Sequence, residues 1–146
     1  MHISPVNEHD FTALYAIECA AHHVPWSKGT LLNNCGERYC NLKICMQNRI
    51  VGFAICQVVL DEATLFNLAI DPNVQGQGFG QALLSALMDT LRAKGVTTLW
   101  LEVRQSNHKA QKLYDKLGFH QVSIRPNYYP TQEGKRENAI IMAAYL

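Results

Sequence analysis

Residues 64–103 spell out one supersecondary unit from end to end. The run "TLFNLAI" stops at Asp71-Pro72, where proline removes a ladder donor. Three glycines then fall within five positions, Gly76, Gly78 and Gly80. Phe79, Leu83, Leu84, Leu87, Met88 and Leu91 share one helical face after them, and Gly95 stands where a C-terminal cap belongs. "TTLWLEVR" reads as the next strand. It carries Leu99, Leu101 and Val103 on one face and Thr98, Trp100, Glu102 and Arg104 on the other. A strand, a helix and a second strand joined in this way lie parallel, with a right-handed crossover. The rest of the chain has to build around that unit.

Before it, a short strand is expected over residues 2–4, then a helix over 7–21 with Phe11, Leu14, Tyr15 and Cys19 at helical spacing. Pro25-Trp26 interrupts, and Ser27 caps a short helix to about residue 34. "YCNLKICMQNRIVGFAICQVVLDEATLFNLAI" reads as three strands, turning near Gln47-Asn48 and near Asp61-Glu62. After the crossover, a helix runs from about Asn107 to Leu117 and stops at Gly118. Its stripe is Ala110, Leu113 and Leu117, with Tyr114 at the border. Two last strands, near 119–125 and 137–145, flank the loop "PNYYPTQEGKR". The order β-α-α-β-β-β-α-β-α-β-β predicts a single α/β domain over residues 1–146. Its sheet is mixed and mostly antiparallel, of about seven strands, with helices on both faces.

The totals exclude several classes. With 146 residues, 48% apolar and 17% charged, the chain reads as globular. A net charge of +1 without a basic stripe argues against direct nucleic-acid binding. No apolar run approaches the roughly 20 residues of a membrane span. The start "MHISPVNEHD" lacks a signal-peptide pattern, so a cytoplasmic protein is expected. Cys19, Cys35, Cys40, Cys45 and Cys56 form no CxxC pair and are expected as buried, reduced thiols. His22-His23 lacks a ligand pattern around it, so no metal is expected.

The glycines precede a helix N-terminus, whose unpaired N–H groups and partial positive charge suit an anion. A dinucleotide fingerprint counted from Gly76 would need glycine where Gln81 stands, and a P-loop would need a lysine that is absent. A third pattern, Q/R-x-x-G-x-G/A, is met by Gln75, Gly78 and Gly80. The glycines alone fit equally a tight turn with a softened helix start.

"VVLDEATLFNLAIDP", "GQGFGQALL", "TLWLEVRQSN", "LYDKLGF" and "NYYPT" occur in this order, with "PWS" and "GERY" before them. Over about residues 10–143 the chain thereby resembles the RimI family of GNAT acetyltransferases. The resemblance implies a GNAT-type fold and transfer of an acetyl group from acetyl-CoA. The acceptor it implies is the N-terminal alanine of a small-subunit ribosomal protein, the eighteenth in the usual count. It implies that Leu68, Ala69 and Ile70 pair through backbone with the pantetheine arm. Gly76, Gln77, Gly78, Phe79, Gly80 and Gln81 would hold the pyrophosphate, and Asn107 would touch the cofactor. Glu102 matches the general base and Tyr114 the general acid. The implied partners are that protein's N-terminal segment and possible other protein N-termini, with no membrane. Two departures stand out. Some relatives carry Arg at the position of Gly76, and relatives can carry Arg at the position of Pro126.

The chemistry asks for such groups. An α-amine with a pKa of about 7.7–8.0 must lose a proton before it attacks, so a base is needed. The departing thiolate gains from a donor, which a tyrosine hydroxyl supplies. Direct attack needs no nucleophilic cysteine. Spacing alone leaves Glu102 open to a pairing with Arg104, and Tyr114 to a core role. Asp61 and Glu62, with Glu37, are read either as an acidic rim for a basic tail or as solvated turn charges. Tyr128 and Tyr129 either wall a peptide groove or pack as loop aromatics. Two other functions stay in view: the same fold acting on a lysine or a small amine, and a non-catalytic coenzyme A-binding module.

Overall fold

A computed structural model describes residues 1–131 and 133–146. The strands are β1 (His2–Pro5), β2 (Leu42–Met46), β3 (Arg49–Val59), β4 (Glu62–Ile70), β5 (Thr98–Arg104), β6 (His120–Pro130) and β7 (Arg136–Tyr145). The helices are α1 (Phe11–Ala21), α2 (Lys28–Asn33), α3 (Phe79–Ala93) and α4 (His108–Lys116). Their order along the chain is the expected one. The strands form one sheet in the order β1-β2-β3-β4-β5-β7-β6. Every neighbouring pair is antiparallel except β4 and β5, which α3 joins as a parallel crossover. Among the described residues no helix is long and apolar enough to cross a membrane.

Local chemistry explains the boundaries. Gln47 and Asn48 hold the β2–β3 turn at φ 50° and 62°, a conformation that suits a two-residue hairpin. The β3–β4 turn lies one residue earlier than expected, at Leu60 and Asp61. Leu60 takes φ 57° there and is 92% exposed. Ser27 caps α2, its Oγ accepting from Thr30 N at 3.1 Å.

The two faces of the sheet are covered unequally. On one face α1 and α2 set Phe11, Leu14, Ile17 and Leu31 against Phe53, Ile55 and Ala69. On the other, all six apolar residues expected on the α3 stripe are buried against the sheet. Burying a leucine of that stripe contributes about 1.5–3 kcal/mol.

Four expectations need correction. In α1 the buried face is Phe11, Leu14, Ile17 and Glu18, while Cys19 is exposed. Glu18 is tolerated inside because its carboxylate accepts from Trp26 N at 2.9 Å and Asn67 Nδ2 at 2.8 Å. Only Cys40 and Cys56 are buried among the five thiols, and burial pushes the Cys56 thiol up to about 12. In α4 the expected stripe of Ala110, Leu113 and Leu117 does pack half-buried against the core, but Tyr114, expected at its border, is buried. Finally, most of the expected loop after residue 125 is strand. β6 runs to Pro130 with a register shift between Arg125 and Tyr129, where Asn127 takes φ 52°. Gln132, part of that expected loop, lies outside the described residues.

Candidate active site

The site begins where β4 and β5 part. Their parallel pairing runs from Glu62–Thr98 to Leu65–Leu101 and ends there. In the β3–β4 ladder Ile55 faces Asn67 while Cys56 faces Leu65, so Phe66 is one residue extra. Such a bulge bends its strand and ends pairing beside it. β4 continues to Ile70 and β5 to Arg104 with a gap between them.

Hydrogen-bond parity decides which backbone groups face the gap. Asp71 N donates to Val51 O at 2.7 Å, so Asp71, Ala69 and Asn67 turn their backbone to β3. Leu68 and Ile70 turn theirs to the gap. Of the three residues expected to pair with a cofactor arm, Ala69 therefore belongs to the β3 ladder, its side chain buried in the core. The Ile70 carbonyl accepts from Gln75 Nε2 at 3.0 Å.

Next to Ile70 lies the glycine loop. Gly76 and Gly78 sit at φ 80° and 87°, which disfavours any residue with a Cβ. A Cβ built on either would meet nothing within 4 Å, so the space in front of this backbone is open. Gly78 is the N-cap of α3 and supplies no side-chain cap, and the first turn carries no acid. The leading N–H groups are thus left to an external acceptor, with the helix dipole behind them. Gly80 packs instead: a Cβ there would lie 3.6 Å from Leu113 Cδ2 and 3.8 Å from Ile70 Cγ1. Phe79 is buried, while Gln77 is exposed and Gln81 half-buried. Asn107 caps α4, its Oδ1 accepting from Ala110 N at 3.1 Å. Sequence reasoning missed Lys109, whose Nζ lies 3.4 Å from Gln75 Oε1. It brings a cation to the loop that lacks Arg at Gly76, across 34 residues of sequence.

The other wall of the gap is made of side chains. Leu99, Leu101 and Val103 of β5 are buried on the α3 side, which turns Trp100 and Glu102 to the opposite face. Glu102 Oε1 accepts from Arg125 Nη1 at 2.7 Å. Arg104, the partner spacing had left open, instead donates to Pro130 O at 2.7 Å and faces Glu137 at 3.6 Å. Arg125 stacks 4.3 Å over the Tyr128 ring and Arg104 4.6 Å over that of Tyr129. The two rings meet edge-on at 5.0 Å. Burial, then the negative charge of Glu102, drives the Tyr129 phenol well above its ordinary value.

Tyr114 packs its ring 5.6 Å from that of Phe119, and burial pushes its phenol up to about 12. No buried side-chain polar atom among the described residues lacks a partner. Along the Glu102 face, a cavity of about 250 Å³ is lined by Gln57, Leu60, Asp61, Glu62 and Trp100, among others. Trp100 Nε1 donates to Glu62 Oε1 at 2.8 Å, so one carboxylate of the expected acidic rim is held by the indole.

A seven-stranded sheet whose β4 and β5 part beside a helix without a side-chain cap is the fold of the N-acetyltransferase class. The chain belongs to the acetyltransferase (GNAT) family, whose model matches residues 7–119, and within it to the RimI family. It is an acetyltransferase, and enzymes of this family use acetyl-CoA. It is 62% identical over 144 residues to the [ribosomal protein bS18]-alanine N-acetyltransferase of Haemophilus ducreyi, covering 99% of each chain. It is 55% identical over 141 residues to the enzyme of that name from Escherichia coli K12, covering 97% of this chain and 95% of that one. The crystal structure of the ribosomal-protein-S18-alanine N-acetyltransferase from Escherichia coli superposes with a TM-score of 0.95 at 54% identity. The match covers 99% of this chain and 92% of that one.

Proposed function

We propose that this chain transfers an acetyl group from acetyl-CoA to the α-amine of the N-terminal alanine of ribosomal protein bS18, in the cytoplasm. The observation that carries the reading is the gap itself. Main-chain groups of Leu68 and Ile70 line one wall, the Glu102 carboxylate the other, and the glycine loop closes its mouth. Similarity to enzymes named for this reaction supports the choice of acceptor.

Acetyl-CoA supplies the acetyl group as a thioester. Its pyrophosphate fits the N–H groups of residues 76–81, with Lys109 at the mouth and Asn107 beside it. Leu68 and Ile70 offer the gap-facing N–H groups that hold the arm and polarise the carbonyl. Glu102 removes a proton from the acceptor ammonium, directly or through water, and the freed amine attacks. Tyr114, held protonated by burial, donates to the departing sulfur. Burial holds that phenol above the roughly 8.5 of a free thiol, so full proton transfer to the sulfur is uphill. In this account Tyr114 therefore stabilises the leaving thiolate chiefly by its hydrogen bond.

Mass spectrometry tests the acceptor. The protein and acetyl-CoA are given one peptide with a free N-terminal alanine and one with a blocked N-terminus carrying only lysines. One acetyl on the alanine peptide alone is expected. Modification of the lysine peptide instead would overturn the acceptor and keep the fold. Transfer to neither would leave a coenzyme A-binding module or another acceptor.

A further inference from the structure

Arg125 occupies the carboxylate that the proposed reaction needs. Its Nη1 lies 2.7 Å from Glu102 Oε1, and the two side chains are 50% and 28% exposed. Its other contact is the stack on Tyr128 at 4.3 Å. Arg125 is the last residue of β6 in register with Ala139 before the shift that ends at Tyr129. Its side chain therefore springs from a fixed strand and, among the described residues, ends on one ionic hydrogen bond.

We propose that Arg125 is a cationic placeholder on Glu102, displaced by the acceptor's α-ammonium and restored when acetylation removes that charge. The proposal rests on the reading of Glu102 as the base. Near neutrality much of an α-amine is protonated, so the acceptor arrives as a cation. Two cations bound to one carboxylate stand only a few ångströms apart and repel at the effective dielectric of a protein surface. One of them has to leave. Arg125 is half-exposed and, among the described residues, held by one side-chain hydrogen bond, so it can swing towards solvent without unmaking the sheet. After transfer the nitrogen is a neutral amide with nothing to offer a carboxylate, and Arg125 reclaims Glu102. The exchange favours acceptors that bring their own positive charge, and it works against retention of product.

Steady-state kinetics at saturating acetyl-CoA tests this, with the alanine peptide as substrate and its Nα-acetylated form as inhibitor. Arg125→Gln removes the competitor, so KM for the peptide and Ki for the product should both fall by about two- to fivefold, the range of an exposed ion pair. Arg125→Lys should restore most of the wild-type values, and unchanged circular dichroism melting should show that β6 is intact. Should Arg125→Gln disturb the fold, Arg125→Met provides the same neutralisation. A rise in KM and Ki would show that Arg125 grips the acceptor, and unchanged values that it only braces β6. Either result overturns the placeholder. Glu102→Gln separates the two ideas: full turnover in that variant sinks the base itself, whereas lost turnover with no tightening in Arg125→Gln sinks only the placeholder.

Discussion

The glycine loop and the β5–β6 wall face the same gap but are built from different materials. Around Gly76 and Gly78 the chain offers backbone: left-handed glycines, an uncapped helix end and open space. Around Glu102 it offers side chains from strands far apart, with Arg125 23 residues from its carboxylate and Glu137 31 residues from Ser106. Backbone donors point where the helix points and cannot be deleted by a side-chain change. Side-chain groups can be deleted singly, and each deletion leaves a partner unpaired. The first half should therefore govern cofactor binding and the second turnover.

The largest effect should break the second half alone. Glu102→Gln is expected to lower kcat on the alanine peptide by about 10²–10⁴-fold, measured at saturating acetyl-CoA. Tyr114→Phe comes next, with a loss of about a hundredfold in kcat. Its melting temperature should hold, because the ring remains on Phe119. Steady-state kinetics check the two losses in kcat, calorimetric titration that acetyl-CoA binding is kept, and thermal melts the stability of Tyr114→Phe.

Within the first half two glycines should behave oppositely. Gly78→Ala forces a Cβ into the left-handed region at a cost of about 1–2 kcal/mol, or several degrees in Tm. Acetyl-CoA affinity should fall about tenfold as the N–H groups shift. Gly80→Ala meets only ordinary contacts with Leu113 and Ile70. It should leave affinity within about twofold and Tm unchanged or slightly raised, since alanine is the better helix former.

The smallest effect concerns the turn that leads into the loop. Asp71 accepts from Asn73 N and Arg49 Nη1, both at 3.0 Å. The backbone bond from Asn73 first, then Arg49, holds its carboxyl below the ordinary range against the pull of desolvation. The stabilisation is present above the unfolded value of about 3.9 and is lost as pH falls through the lower folded value. Asp71→Asn should cost under about 1 kcal/mol at neutral pH. The difference should close in urea melts below that range.

How much was legible follows the same division. The crossover, the α3 stripe and the Gln47-Asn48 turn are local patterns, and each stands where its residues predicted. The α4 stripe of Ala110, Leu113 and Leu117 packs against the core as expected, but Tyr114 was placed only at its border because it carries a polar tip, although its ring is what the core takes in. Glu18 was missed because a helix face is scored by polarity, and nothing near it in the chain announces Trp26 N or Asn67 as donors. β6 was cut short at Arg125 because "PNYYP" carries turn residues. The register shift against β7 absorbs them within a strand. The pairing of Glu102 with Arg125, and the approach of Lys109 to Gln75, depend on strand and helix placement that no local pattern encodes.

The division of labour across the gap is tested most directly by Gly78→Ala, Glu102→Gln and their double variant. Acetyl-CoA Kd and single-turnover rate on the alanine peptide would be measured for each. Gly78→Ala should move Kd and Glu102→Gln should move the rate, with the two changes adding in the double variant. If Glu102→Gln weakened acetyl-CoA binding as much as it slowed turnover, or left turnover intact, the backbone half and the side-chain half would not be separate.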